Sequence, residues 1–154
     1  MINTSYKLDT ILINSVIVSG VHKDFYDNWA DIEDQNIDSS ISGIYFLQRY
    51  NNDEIIPISR LIGKDNQGIL YIGKSENLTR RLGTLINLIN GTSTTGKHSM
   101  GLRYQEIEVF QKHLKPENIK LRIIFCDNPR DIESSMLLEY LYKFGELPPL
   151  NNSK

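Results

Sequence analysis

Cysteine is nearly missing from this chain. Cys126 is the only one among 154 residues, so no disulfide can form within the chain and a four-cysteine zinc site is excluded. A reducing, cytoplasmic setting is the expected one. Long apolar runs are missing too. The most apolar early stretch, ILINSVIVSGV, is short and interrupted, and the N-terminal MINTSYKLDT has no basic segment leading into an apolar one, so neither membrane insertion nor secretion is expected. There is no repeat at solenoid spacing and no low-complexity tract. The chain also lacks a marked excess of either charge, with a net of −2, which by itself argues weakly against a nucleic-acid binder.

That balance hides an uneven distribution. Residues 1–59 hold 3 Lys/Arg against 9 Asp/Glu, residues 60–122 hold 11 against 5, and residues 123–154 hold 3 against 5. A basic middle third suits a phosphate backbone, with acidic residues kept elsewhere, although solvated faces of opposite sign would look the same.

Local patterns then organise the chain. Residues 8–19, rich in β-branched side chains, read as one or two strands, and DFYDNWADIEDQNID as a short helix with an acidic loop. Together they make an N-terminal extension, residues 1–41, packed on or covering a core domain, residues 42–154. In the core, SGIYFLQRY is a strand, NNDE a turn, IIPISRLI extended, KDNQG a second turn and ILYIGKS another strand. Asn77 offers a cap to a helix over LTRRLGTLINLIN. A second helix is expected over LRYQEIEVFQKHL, closed by Pro116, then a strand over KLRIIFC. A last helix over residues 130–144 has the stripe Ile132, Met136, Leu137, Tyr140 and Leu141 facing a core and ends at Gly145. Hairpin-length connections impose antiparallel pairing, so the fold class is α+β: a small, mainly antiparallel three-stranded sheet flanked by helices.

Two tripeptides stand out within this frame. Gly43-Ile44-Tyr45 lies in one strand and Tyr71-Ile72-Gly73 in the next. Alternation sets Tyr71, Gly73 and Ser75 on one face, towards the helix bearing Arg81, and Ile72 with Lys74 on the other. Arg81 follows Tyr71 by ten positions, Glu139 lies in the last helix, and Asn151 follows Glu139 by twelve. This order and spacing resembles the GIY-YIG nuclease family over residues 42–152, where Lys74, directly after YIG, is also a frequent feature.

The resemblance implies a divalent-metal-dependent DNA endonuclease acting on double-stranded DNA. Glu139 would hold one Mg²⁺ or Mn²⁺, a hard cation suited to carboxylate oxygen. The forked donors of Arg81 would neutralise the phosphate, Lys74 would add a point charge, and Tyr45 or Tyr71 would position the attacking water. Asn151 would fix the C-terminal segment or a water near Glu139. Glu133, Glu146 and Asp131 read as surface charges, and His22 and His113 as structural or solvated. The basic residues Arg80, Lys97, Arg103, Lys112 and Lys115 are expected to contact the DNA backbone.

Two features depart from the family pattern. The connection NNDEIIPISRLIGKDNQG is long, and Leu85 stands four residues after the arginine, where many relatives carry a histidine or tyrosine. His98, in GKHSMG, is a substitute for that group if its loop folds back over the sheet, and an exposed loop histidine otherwise. Site specificity would come from the extension, from the long connection or from a second copy in a homodimer. The alternative is a catalytically inactive nucleic-acid-binding or protein-interaction module on the same fold, with Leu85 marking a degraded site. A third reading is a structural α+β protein with no salt-dependent DNA affinity.

Overall fold

The structure, a computed structural model, describes residues 42–91 and 98–151 together with the backbone of residues 16–20. The expected helix near residues 24–38, the strand residues before Val16, His22 and Lys97 lie outside the described residues.

The elements in chain order are β1 (Val16–Gly20), β2 (Gly43–Asn51), β3 (Glu54–Ile55), β4 (Ile58–Ser59), β5 (Lys64–Asp65), β6 (Ile69–Ser75), α1 (Leu78–Ile89), α2 (Ser99–Glu106), α3 (Glu108–His113), β7 (Ile119–Phe125) and α4 (Pro129–Phe144). The fold is α+β, and its main sheet is antiparallel throughout. β2 lies between β6 and β7, with Tyr45 opposite Gly73 on one side and Ile123 on the other. β1 pairs with the outer side of β7, so the sheet is wider than the three strands expected.

Being central, β2 reads as an unbroken apolar run rather than an alternating one. Its side chains from Ile44 to Leu47 are fully buried. Alternation sends Tyr45 and Leu47 to one face, with α1 and α2, and sends Ile44 and Phe46 to the other, against α4. On β6 an irregularity between the partners of Leu47 and Gln48 leaves Leu70 and Tyr71 together on the first face, while Ile69 and Ile72 face α4.

Local chemistry explains the ends of these elements. Asn52 and Asp53 both adopt positive φ (48° and 65°) between β2 and β3, the geometry of a two-residue hairpin turn that short polar side chains tolerate. Asn77 caps α1 by accepting from the Arg80 N–H at 3.1 Å. Gly145 ends α4 in the left-handed region at φ 75° and donates to the Leu141 carbonyl.

Two expectations need correcting. The single helix over LRYQEIEVFQKHL is two helices, because Ile107 is extended (φ −104°, ψ 101°) and breaks the run, while the first begins earlier, at Ser99. On α4, Leu141 is exposed and Phe144 takes the core position in the stripe with Ile132, Met136 and Tyr140. A helix of 3.6 residues per turn drifts around its axis, so one residue at the edge of a stripe is easily assigned to the wrong face.

Candidate active site

Both tripeptide glycines are steric requirements. A Cβ on Gly43 would overlap the Ile124 carbonyl oxygen on the neighbouring strand and lie 2.9 Å from Leu78 Cδ1. A Cβ on Gly73 would overlap the ring of Tyr45, which lies directly across that position. Gly73 is therefore the seat on which the Tyr45 ring rests.

Three aromatic rings meet above this seat. Tyr45 and Tyr71 have ring centroids 5.9 Å apart, and His98 lies 6.0 Å from the first and 5.8 Å from the second. All three are buried. His98 is the N-cap of α2: its Nδ1 accepts from the Gly101 backbone N–H at 3.2 Å. In a neutral imidazole only one nitrogen carries a proton, so the proton is on Nε2. Nε2 stands 2.6 Å from the Tyr45 hydroxyl oxygen and donates to it. The hydroxyl of Tyr45 must then donate elsewhere. The hydroxyls of Tyr45 and Tyr71 act on one another, and the charge of Arg81 acts on both. Two hydrogen bonds in series thus run from the Gly101 N–H through His98 to the Tyr45 oxygen. Ser99 also reaches Tyr71 and lowers its pKa.

Electrostatics agrees with a neutral cluster. Burial first, then the charge of Arg81, pushes His98 down to about 3. Burial raises both tyrosines above the usual phenol value, with Arg81 pulling each back. Arg81, half-buried one turn into α1, is the cation that acts on all three rings, whereas its neighbour Arg80 is exposed.

Leu85 is fully buried in the core with Leu82, Ile86 and Met100. His98, at the start of α2, is buried against Tyr45 and Tyr71 and is not an exposed loop histidine. Asn151 sits at the open edge of β6. Its side chain accepts from the Ile72 N–H at 3.0 Å and donates to the Ile72 carbonyl at 2.9 Å, and the Leu150 N–H bonds the Leu70 carbonyl. Asn151 therefore ties the C-terminal segment to β6, along an edge that has no other strand partner among the described residues.

Other expected residues stand apart. Lys74 is on the α4 side, where its Nζ lies 3.3 Å from Glu133 Oε2. Glu139 is half-buried on α4, the helix that packs against the sheet face opposite Tyr45 and Tyr71. Arg103 donates to the Leu150 carbonyl at 3.0 Å and so helps to hold the C-terminal segment. Lys112 pairs with Glu108 on the exposed face of α3, and Lys115 and His113 are exposed. Of the three carboxylates read as surface charges, Asp131 is exposed, but Glu146 binds Arg60 and the Leu61 N–H, and Glu133 is paired as above. Pairing across elements depends on how α4 docks, and no sequence interval predicts it.

Sequence reasoning missed Gly101, Ser99 and Glu133. None of them carried a clear local signal, since histidine is not among the preferred N-cap residues.

No group of three or more His, Cys, Asp or Glu converges among the described residues. The available donors are single carboxylates such as Glu139, which fits a magnesium-like ion that keeps most of its waters and not a zinc site. No helix among the described residues is long and apolar enough to cross a membrane. No protein-family model matches the chain, and no curated protein or solved structure matches it either.

Proposed function

We propose that the chain is a divalent-metal-dependent DNA endonuclease with the chemistry of the GIY-YIG family. The observation that carries this reading is the directed bond from His98 to Tyr45, with Tyr71 and Arg81 at the same spot. A phosphodiester resists hydrolysis because its oxygens are anionic, so the site must orient water and neutralise charge together.

Arg81 would take the non-bridging oxygens in its fork. Tyr71 would meet the attacking water, being slightly open, at 8% exposed against 0% for Tyr45. Tyr45 and His98 would hold it in place. With their pKa values raised by burial, both phenols are protonated at neutral pH and orient the water rather than strip its proton. Glu139 would hold Mg²⁺ or Mn²⁺, which when bound supplies charge for the departing 3′ oxygen. Lys74, Arg80 and Lys115 would contact the phosphate backbone of double-stranded DNA.

The test is cleavage of supercoiled plasmid at low salt with Mg²⁺ or Mn²⁺, comparing wild type with Arg81→Ala and Glu139→Ala, each checked for folding by circular dichroism. Nicking or linearisation is expected from wild type, with both variants slower by on the order of 10²-fold or more. A wild type that binds DNA but never cuts it would leave the second reading, an inactive nucleic-acid-binding module. That reading is favoured by one observation, the position of Glu139 on the helix that covers the other face of the sheet.

A further inference from the structure

Lys74 ends the Tyr71-Ile72-Gly73 run and turns to the α4 side, where Glu133 meets it at 3.3 Å. The two side chains differ in access: Glu133 is 17% exposed and Lys74 38%. Glu133 is thus held against the fold by α4, while the ammonium remains reachable from solvent. The charge of Glu133 acts on Tyr71 in the sense opposite to that of Arg81. An ammonium already in contact with a carboxylate attracts a second anion weakly, because its charge is largely cancelled. A carboxylate and a phosphodiester present the same feature to it: two oxygens sharing one negative charge. The Lys74 side of the pair is open to water, which screens its Coulomb gain, and Glu133, 17% exposed, keeps a route to solvent when it gives up the ammonium.

We propose that the Lys74–Glu133 pair is a phosphate subsite closed from within: the Glu133 carboxylate occupies the place on Lys74 that one phosphodiester of a nucleic-acid backbone takes on binding. This rests on the nucleic-acid reading above and adds to it a residue, Glu133, that competes with the substrate. Removing the competitor while keeping its shape frees Lys74 for one more phosphate contact, and each such contact releases about one counterion.

The experiment is fluorescence anisotropy of a labelled DNA duplex in EDTA, over a salt series from about 50 to about 200 mM. The proteins are wild type, Glu133→Gln, Lys74→Met, the double variant, and Asp131→Asn. The last removes one negative charge from an exposed position on the same helix. Glu133→Gln is expected to bind roughly 3- to 10-fold tighter than wild type, with its log affinity against log salt steeper by about one. Adding Lys74→Met is expected to abolish that gain, and Asp131→Asn to leave affinity within about twofold. No gain in Glu133→Gln, an equal gain in Asp131→Asn, or a gain that survives Lys74→Met overturns the subsite. Metal-dependent cleavage by wild type without the affinity pattern leaves the nuclease and removes the subsite. The affinity pattern without cleavage keeps the subsite and removes the nuclease.

Discussion

His98 Nε2 stands 2.6 Å from the Tyr45 hydroxyl oxygen, and the direction of that bond is set from the far side of the ring, where the Gly101 N–H donates to Nδ1. A residue of α2 thereby decides how a residue of the central strand presents its proton. Protonating the ring would place a second proton on Nδ1, against a donor, in a site with no exposure to water.

This fixes a pH dependence of stability. The folded-state value of His98 is lowered to about 3 from an unfolded value near 6.5, so the unfolded chain binds the extra proton between the two. The contribution is complete above about pH 6.5 and is lost as pH falls towards 3, by about 1.4 kcal/mol per pH unit. Urea unfolding from neutral pH down to about pH 5 is expected to show this slope in wild type and a shallower one in His98→Gln. A His98 imidazole NMR signal, assigned by its loss in His98→Gln, that titrates at the ordinary histidine value in the folded protein contradicts it.

Gly73→Ala forces the Tyr45 ring off its seat. The expected cost is about 1–3 kcal/mol, as for overpacking in a filled interior, with loss of the Tyr45–His98 bond. Gly83→Ala on α1, where a Cβ meets nothing within 4 Å, is the control and is expected to stabilise by about 0.5–1 kcal/mol through helix propensity. Thermal unfolding of the two variants reads the contrast, and equal shifts would remove the steric account.

Leu85 is core, so Leu85→Ala is expected to cost about 2–5 kcal/mol in urea unfolding. Leu85→His is expected to destabilise as well, because it buries an imidazole among Leu82, Ile86 and Met100. A Leu85→His protein as stable as wild type and faster in plasmid cleavage would count against His98 as the substitute for a polar group at that position.

Asn151→Ala leaves the Ile72 N–H and carbonyl without their side-chain partners. The expected loss is about 1–3 kcal/mol, with faster hydrogen exchange at the Ile72 amide than in wild type. If that amide exchanges at the wild-type rate, the side chain is not what protects the strand edge.

Much of the fold could be read from local sequence. β-branched and aromatic content gave β2, β6 and β7, the Asn77 cap gave the start of α1, and the NNDE turn reflects the tolerance of Asn and Asp for positive φ. The relation of Gly43, Tyr45, Tyr71 and Gly73 was also legible, because paired antiparallel strands bring a fixed order of side chains to one face. The break at Ile107 was not, since propensity favoured a continuous helix.

What the sequence by itself determined, then, was which residue types stand on which face of each element: backbone geometry gives a strand its period of two and a helix its period of 3.6. Only the tertiary structure decided which of those faces meet. His98 lies 53 residues from Tyr45, and Glu133 meets Lys74 only because α4 docks on the side of the sheet to which Lys74 turns. Contacts at such separations follow from burying both faces of one sheet at once, a condition on the whole chain that no local pattern contains.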